Sequence, residues 1–353
     1  MSDSSKAQIR EFHLFAGIGG GIYGGQLLGH KCVGACEIGE YQQKVLRQRQ
    51  KDGWMDEFPI YSDIRELNGA DFKDKFDVLC GGFPCQAFSR AAHGLNKKEK
   101  NIWPEMLRFI KESEAPMVFG ENVSEKAIKQ AKSDLENIGY VCDYLRLSCA
   151  DLGADHKRAR FWIIGRKFYN PNIKAVTLQV ESPLDHRWIE ATGKDFCLGY
   201  RLKGDCWTRD LNNDKEIEHI PFAGRKKRDN RFLGTGNAQS PLVAAVAWRL
   251  LERKLYGVKK DVDFFFEKKE TWIHKNFPDL PGPVHTPTTM ANYSCPYMTD
   301  KKAWPCCVAY KTVFGQPTPE QAEYLLGFPL GASTVEPVSM KNYEIWKRDC
   351  GII

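Results

Sequence analysis

Between Phe12 and about Arg166 short apolar runs alternate with amphipathic stretches: FHLFAG, KCVGACE, FDVLCGG, PMVFGENV, YVCDYLRL and RFWIIGR are separated by helix-like segments such as Tyr41–Lys51 and Pro104–Ser113. Apolar runs of this length bounded by turn residues read as buried strands, and the stretches between them as crossover helices. The pattern therefore predicts an α/β fold with a mostly parallel sheet. Ligands of such sheets sit beyond the carboxyl ends of the strands, so the residues just after each apolar run are the candidates for chemistry.

Past Arg166 the pattern changes. Polar and aromatic residues mix without a sustained period up to a basic run before Phe232, which predicts a second, irregular domain. Pro241–Lys254 then reads as one amphipathic helix, with Pro241 in its first turn and Leu242, Val243, Val246, Ala247, Leu250 and Leu251 on one face. From about Leu255 the chain is aromatic and charged around the turn-rich DLPGPVHTPTT, and no internal repeat is visible.

Composition narrows the class. A chain of 353 residues that is 42% hydrophobic can bury a sizeable core in two or three domains. There is no apolar stretch of membrane-spanning length, and MSDSSKAQIREF lacks the pattern of a secretion signal, so the expectation is a soluble protein in the cytoplasm, with no membrane partner. The 12 cysteines are scattered in a way that favours reduced thiols, and neither Cys32 with Cys36 nor Cys306 with Cys307 comes with the second ligand pair of a zinc site, so no metal is expected. The net charge of +6 is modest, but Arg225, Lys226, Lys227, Arg228 and Arg231 cluster, as do Lys97, Lys98 and Lys100. Such runs permit phosphate contacts and equally describe solvated faces.

Four segments carry candidate chemistry. FAGIGGG, Phe15–Gly21, lies between a strand and a helix and is followed by Glu37 at the end of the next strand; glycines admit a ligand close to the backbone, and an acidic side chain can hold two ribose hydroxyls. Gly19, Gly21 and Gly24 also satisfy GxGxxG, so a nicotinamide dehydrogenase and a purely structural glycine turn stay open on this segment. GGFPCQAFS presents Cys85 directly after a strand behind Pro84, as a nucleophile requires, whereas Cys80 inside the strand reads as a small buried hydrophobe. Glu121 in FGENV should share the rim with Cys85, where a carboxyl with a raised pKa can protonate or hydrogen-bond a substrate ring; a helix N-terminus with an acidic first turn is the bland alternative. In HKRAR, Arg158 and Arg160 alternate along the strand that leads into RFWIIGR and should face one side, to grip phosphate or a carbonyl, or to form a surface ladder of ion pairs.

The order of these segments, closed by GTGNAQSP, resembles the carbon-5 cytosine DNA methyltransferases. The resemblance rests on the FAGIGG loop, the acidic residue after the second strand, Asp63–Ile64, PCQ, ENV, the HKRAR signature and GN-x-x-P, and covers most of residues 12 to 250. TPEQAEYLLGFP follows the GN-x-x-P helix instead of preceding it, and with the ending LGFPLGAST this order is similar to the bacteriophage and prophage members. His156 stands where the family often has glutamine, and Ala91 where a relative has the serine that fills the gap left by the flipped base.

The resemblance implies a Rossmann-like S-adenosylmethionine-dependent fold with a smaller irregular target-recognition domain, and double-stranded DNA between the two. Residues 1–166 would form the catalytic and cofactor domain, 167–231 a target-recognition region, 232–254 a helix returning to the first domain, and 255–353 the rest of the recognition domain. Carried over by position, Cys85 is the nucleophile, Glu121 contacts the base, and Arg158 and Arg160 support them. Phe15, Ala16, Gly17, Ile18, Gly19, Gly20, Glu37, Ile38, Asp63, Ile64, Pro84, Ile102, Asn237 and Ala238 would line the cofactor pocket. Gln86, Ser89, Arg90, Lys97, Lys98, Arg225, Lys226, Lys227 and Arg228 are the candidate DNA contacts, with Ala91–Lys100 as a lid. The expected reaction is methyl transfer to carbon 5 of a flipped cytosine through a Cys85 adduct, by a monomer that can act beside a separate restriction endonuclease. The alternatives are methylation of cytosine in transfer RNA, or sequence-specific DNA binding without catalysis.

Overall fold

The computed structural model of the protein describes residues 8–84, 101–167, 202–203, 205–211, 213–220, 230–255, 266–267, 270–287, 305–315 and 317–350. Strands β1 (Arg10–Leu14), β2 (Lys31–Cys36), β3 (Ile60–Tyr61), β4 (Val78–Gly82), β5 (Met117–Asn122), β6 (Tyr140–Leu147) and β7 (Arg160–Lys167) form one sheet in the order β3-β2-β1-β4-β5-β7-β6. Each of the apolar runs picked out along the chain is a strand of it. The two-residue β3 is too short to show a period and was not expected.

Neighbouring strands are parallel except at β7, which runs antiparallel to both β5 and β6. Alternation of strand and helix misses this reversal. Between β6 and β7 the chain holds only the 3-10 turn Ala150–Leu152 and no crossover helix, so the two can pair as an antiparallel neighbour pair. A dinucleotide-binding sheet has the order 3-2-1-4-5-6, so the inserted antiparallel strand sets this Rossmann-like fold apart from a dehydrogenase.

Helices α1 (Gly20–Leu27), α2 (Glu40–Lys51), α3 (Trp103–Ser113) and α4 (Glu125–Glu136) cross between strands. In α3 the buried Trp103, Met106, Phe109, Ile110 and Ser113 recur at helical spacing behind Pro104 in the first turn. In α4 the Ser124 hydroxyl accepts the Ala127 N–H as N-cap, so the acidic first turn foreseen after FGENV does exist, but it begins beyond Glu121. Successive strand residues enter opposite layers: Leu79 packs with Phe12, Phe109 and Ile128 on one face, while Val78 and Cys80 pack with Tyr23, Leu242 and Trp248 on the other. Both faces are thereby buried, as a parallel sheet requires.

The later elements are α5 (Asn230–Asn237), α6 (Pro241–Leu255), α7 (Trp272–Asn276), α8 (Pro305–Phe314), α9 (Pro319–Leu326) and α10 (Met340–Asp349), with a two-residue pair β8 (Leu202–Lys203) and β9 (Phe266–Glu267). The helix expected from Pro241 is α6. It is buried on every side from Pro241 to Trp248 rather than on one face, because it lies between α1 and the β6–β7 edge of the sheet. A third apolar cluster joins Phe232, Ile273, Val284, Tyr310 and Leu325. Within 317–350, Phe328, Tyr343 and Trp346 instead pack on Tyr23 and Trp54 of the first core, and Arg49 Nη1 donates to the Gly331 carbonyl at 2.8 Å.

His156 joins the two parts. Its ring is fully buried before β7, and Nε2 lies 2.5 Å from the Leu325 carbonyl at the end of α9. Burial pushes the ring down to about 3, so it is neutral in the fold and donates to Leu325. Its contribution to stability is complete above the ordinary value of 6.5 and is lost as pH falls from there towards 3. In His156→Gln the amide can still donate to Leu325 at every pH. Urea unfolding of this variant is expected to weaken less between neutral pH and pH about 5 than that of the wild type; equal pH slopes would contradict a neutral buried His156.

Candidate active site

Strand order reverses between β1 and β4, and the ends of β1, β4 and β5 are in register there: Leu14 opposes Gly81, and Gly82 opposes Glu121. This is the switch point where open α/β sheets bind ligands. A cleft of about 380 Å³ opens over it, lined by His13, Leu14, Phe15, Ala16, Gly17, Gly20, Gly21, Gly81, Gly82, Glu121, Asn237, Ala238 and Gln239. The glycine loop, the end of the strand before Cys85, the ENV carboxylate and the GN-x-x-P segment thus share one cavity.

The loop after β1 is shaped by Phe15, Gly17 and Gly19, all at positive φ (54°, 56° and 90°). Ala16 N–H donates to the Cys36 carbonyl at 3.2 Å, tying the loop to the end of β2. Glu37, which follows β2, accepts Gly17 N–H through Oε2 at 2.7 Å and Gly39 N–H through Oε1 at 2.8 Å. Burial raises its carboxyl above the usual range, against the opposing backbone donors of Gly39, Gly17 and Ile38. Ile38 beside it is 65% exposed, an apolar surface that a planar base could cover. Gly20 is a glycine because α5–α6 comes so near: a Cβ there would lie 2.2 Å from the Gln239 carbonyl oxygen. Gly20→Ala is expected to cost about 1–3 kcal/mol of unfolding free energy through backbone displacement. An unchanged urea midpoint would mean that the loop and the α5–α6 link do not touch.

Glu121 is 8% exposed. Arg160 Nε lies 3.0 Å from its Oε1 but off the line of a hydrogen bond, so the contact is ionic and Oε1 keeps its bonding capacity. Burial raises the Glu121 carboxyl above its ordinary range, and Arg160, Arg158 and the nearby Gln239 amide oppose that rise. The neighbouring Asn122 joins two strand ends: its Nδ2 donates to the Phe83 carbonyl at 2.9 Å, while its Oδ1 accepts Ser124 N–H at 2.9 Å. Phe83 also packs on Trp103, with ring centroids 4.8 Å apart. The segment entering Pro84–Cys85 is therefore held from two sides.

Several expectations need correction. Arg158 and Arg160 do not alternate along one strand: β7 begins at Arg160, and Arg158 precedes it at φ 30°. Arg158 is buried and donates to the carbonyls of Gly236, Ala238 and Pro287, so it holds the GN-x-x-P segment, whereas Arg160 faces Glu121. Of the residues expected around the cofactor, Phe15, Ala16, Gly17, Gly20, Asn237 and Ala238 line this cleft; Ile18 and Ile64 are buried, Asp63 caps a 3-10 turn and pairs with Arg65, and Gly19, Glu37, Ile38, Pro84 and Ile102 lie outside its lining. Arg231, counted in the basic run, is buried and bonded to Glu323 and Ser333, which leaves it no phosphate to contact. Cys85, Gln86, Ser89, Arg90, Ala91–Lys100 and Arg225–Arg228 lie outside the described residues.

Reading the chain missed two groups. Gln239 sits inside the quoted GTGNAQSP, where an amide next to Asn237 was the available signal. Glu11 and His13 share one face of β1; Glu11 accepts from His13 Nε2 at 2.9 Å and from His30 Nδ1 at 2.7 Å. Burial would raise the Glu11 carboxyl, but the two histidines outweigh it and bring it down to about 2. A glutamate and a histidine at alternate positions of a buried strand were the sign that a partner had to exist. Metal-type ligands also meet at Glu11, His13 and Cys80 and at His285, Cys306 and Cys307. Glu11 is taken by its histidines, His285 Nδ1 by the Thr286 carbonyl, and burial pushes the Cys80 thiol well up. The cysteines among the described residues form no disulfide.

The chain is similar to several known methyltransferases. M.CviJI, a Type II methyltransferase of Paramecium bursaria Chlorella virus IL3A, is 29% identical over 170 residues, 46% of this chain and 45% of that protein. The Type II methyltransferase M.HhaI of Haemophilus parahaemolyticus is 29% identical over 229 residues, 62% of each. The chain thus matches about half to three fifths of the length of such relatives. A crystal structure of a putative DNA modification methyltransferase encoded within an Escherichia coli prophage is similar over 45% of this chain and 47% of that one, at 24% identity and a TM-score of 0.37. A family model described as C-5 cytosine-specific DNA methylase matches residues 9–201, more than half of the chain and every strand of the sheet, and by that match the chain belongs to the C-5 cytosine-specific DNA methylase family.

Proposed function

We propose that the protein methylates carbon 5 of a cytosine within a specific sequence of double-stranded DNA, using S-adenosylmethionine and a covalent bond from Cys85. The observation that carries this reading is the single cleft in which the Phe15–Gly17 loop, Gly82 and the buried Glu121 meet. The donor set suits the cofactor: Glu37 keeps lone pairs for ribose hydroxyls, Ile38 offers an apolar face to a base, and the positive-φ loop brings backbone close to the ligand. When bound, S-adenosylmethionine supplies the electrophilic methyl group.

Carbon 5 of cytosine is a weak nucleophile. Addition of the Cys85 thiolate to carbon 6 makes the ring an enamine whose carbon 5 can take the methyl group. Glu121 donates to ring nitrogen 3 as electrons move towards it, and its raised proton affinity suits that task. Loss of the proton on carbon 5 and departure of the cysteine then restore the ring. A stacked base cannot be approached from above, so the cytosine leaves the duplex, and pocket and phosphate contacts offset that cost. Arg158 keeps the Asn237–Gln239 wall in place and Arg160 keeps Glu121 in place.

Incubation with labelled cofactor and either duplex DNA or transfer RNA tests this reading. It expects 5-methylcytosine in the DNA. Label confined to transfer RNA would favour the RNA reading, and specific DNA binding without label would favour a non-catalytic binder.

A further inference from the structure

We propose that His285, Cys306 and Cys307 bind a thiophilic divalent cation of the zinc class, which clamps the start of α8 to the segment that holds Arg158. None of the three lines the catalytic cleft, and the site does not depend on the function proposed above. An imidazole nitrogen and the two sulfurs all lie within 4.8 Å of one another. Three atoms so spaced share a point within about 2.8 Å of each, so zinc bonds of about 2.0–2.3 Å require only small side-chain rotations. Two sulfurs and an imidazole suit a borderline or soft cation, whereas magnesium and calcium take oxygen.

The backbone brings these donors together. His285 N–H donates to the Cys306 carbonyl at 3.1 Å, and a Cβ on Gly282 would lie 3.5 Å from Pro305 Cβ, so the two segments run side by side. On the His285 ring, Nδ1 lies 2.7 Å from the Thr286 carbonyl. A carbonyl only accepts, so Nδ1 carries the hydrogen and the lone pair of the neutral ring is on Nε2. Metal-binding histidines are oriented by outer partners of this kind. The cluster of Glu11, His13 and Cys80 differs, because there the carboxylate is already bonded to His13 and His30.

Cys306 and Cys307 are consecutive residues in the first turn of α8. Spacing along the chain supplies them with no second pair, but the fold adds His285 from the turn-rich DLPGPVHTPTT. Each thiol gives up its proton as its sulfur bonds to the ion, and a water molecule completes the tetrahedron. The segment that the ion would fix is bonded on its other side to the approach to β7. Val284 N–H donates to the Asp155 carbonyl at 2.7 Å, Thr286 Oγ1 accepts Arg158 N–H at 3.3 Å, and the Pro287 carbonyl accepts Arg158 Nη1 at 3.2 Å. Arg158 in turn holds the Gly236 and Ala238 carbonyls, so the clamp reaches the wall of the cleft through bonds already formed.

The test uses the full chain, kept reduced with a phosphine, stripped with a chelator and titrated with Co²⁺ alone and then with Zn²⁺. The wild type is expected to bind cobalt with sulfur-to-cobalt charge-transfer absorption, to exchange it for zinc, and to unfold at higher urea when zinc is bound. Cys306→Ser and His285→Gln change half-buried positions, and their metal-free urea midpoints check that they fold. Each should weaken cobalt binding by more than the roughly 10–100-fold that outer partners of a ligand contribute, and zinc should no longer raise their urea midpoints. X-ray absorption of the zinc-loaded wild type needs no variant and should show two sulfur neighbours and one imidazole. A wild type without the sulfur band, equal cobalt affinity in both variants, or a zinc shell of oxygen and nitrogen alone overturns the proposal.

Discussion

Replacing Cys85 by serine is expected to lower single-turnover methyl transfer by about 10⁴-fold or more, while cofactor binding stays as in the wild type. A serine hydroxyl is far less ionised than a thiol at neutral pH and is a poorer nucleophile towards an activated double bond, so the ring is no longer converted to an enamine. The cleft proposed for the cofactor is formed by the β1 loop, Gly82, Glu121 and the Asn237–Gln239 segment, none of which is the substituted residue. The approach to the cysteine is also undisturbed, because Asn122 still holds the Phe83 carbonyl and Trp103 still packs on the Phe83 ring. Cofactor titration separates this outcome from misfolding. A serine variant within about tenfold of wild type would remove Cys85 from the chemistry.

Glu121→Gln is expected to reduce the rate by about 10²-fold, within the range that general acids contribute. Its pH profile is the sharper readout. The Glu121 carboxyl is raised by burial against the opposition of Arg160, Arg158 and Gln239, and the proposed role needs its protonated form. Activity should then fall as pH rises through the raised value, because the ionised carboxylate has no hydrogen to give. The glutamine amide carries its hydrogens at every pH, so that limb should flatten in the variant. A high-pH limb that is identical in both proteins would assign the titration to another group.

The strands of the seven-stranded sheet were legible because a strand buried on both faces is a nearly continuous apolar run, as β4, β5 and β7 are, and six apolar runs in all stand out between Phe12 and Arg166. The direction of β7 was not, since a strand reads the same in either sense and only the missing crossover helix hinted at the turn. The candidate site was legible where residues lie at or just past strand ends, as Glu121 does within the last residues of β5 and Phe15 and Gly17 do after β1. It was illegible where a side chain arrives from far along the chain: Gln239 shares the cleft with Glu121 from more than a hundred residues away, and His156 meets the Leu325 carbonyl across 169. The arginines of HKRAR show a third limit. Period-two reasoning assumed that the strand had already begun, but a positive φ at Arg158 turns its side chain to the Asn237 wall and leaves only Arg160 for Glu121.

Denaturing mass spectrometry after incubation with S-adenosylmethionine and duplex DNA bearing 5-fluorocytosine tests the covalent step most directly, because fluorine at carbon 5 blocks the proton loss that frees the enzyme. A species carrying the protein, the DNA strand and one added methyl group, mapped by peptide digestion to Cys85, is the predicted result. An adduct on any other residue, or none at all in a protein that still methylates ordinary duplex, would contradict it.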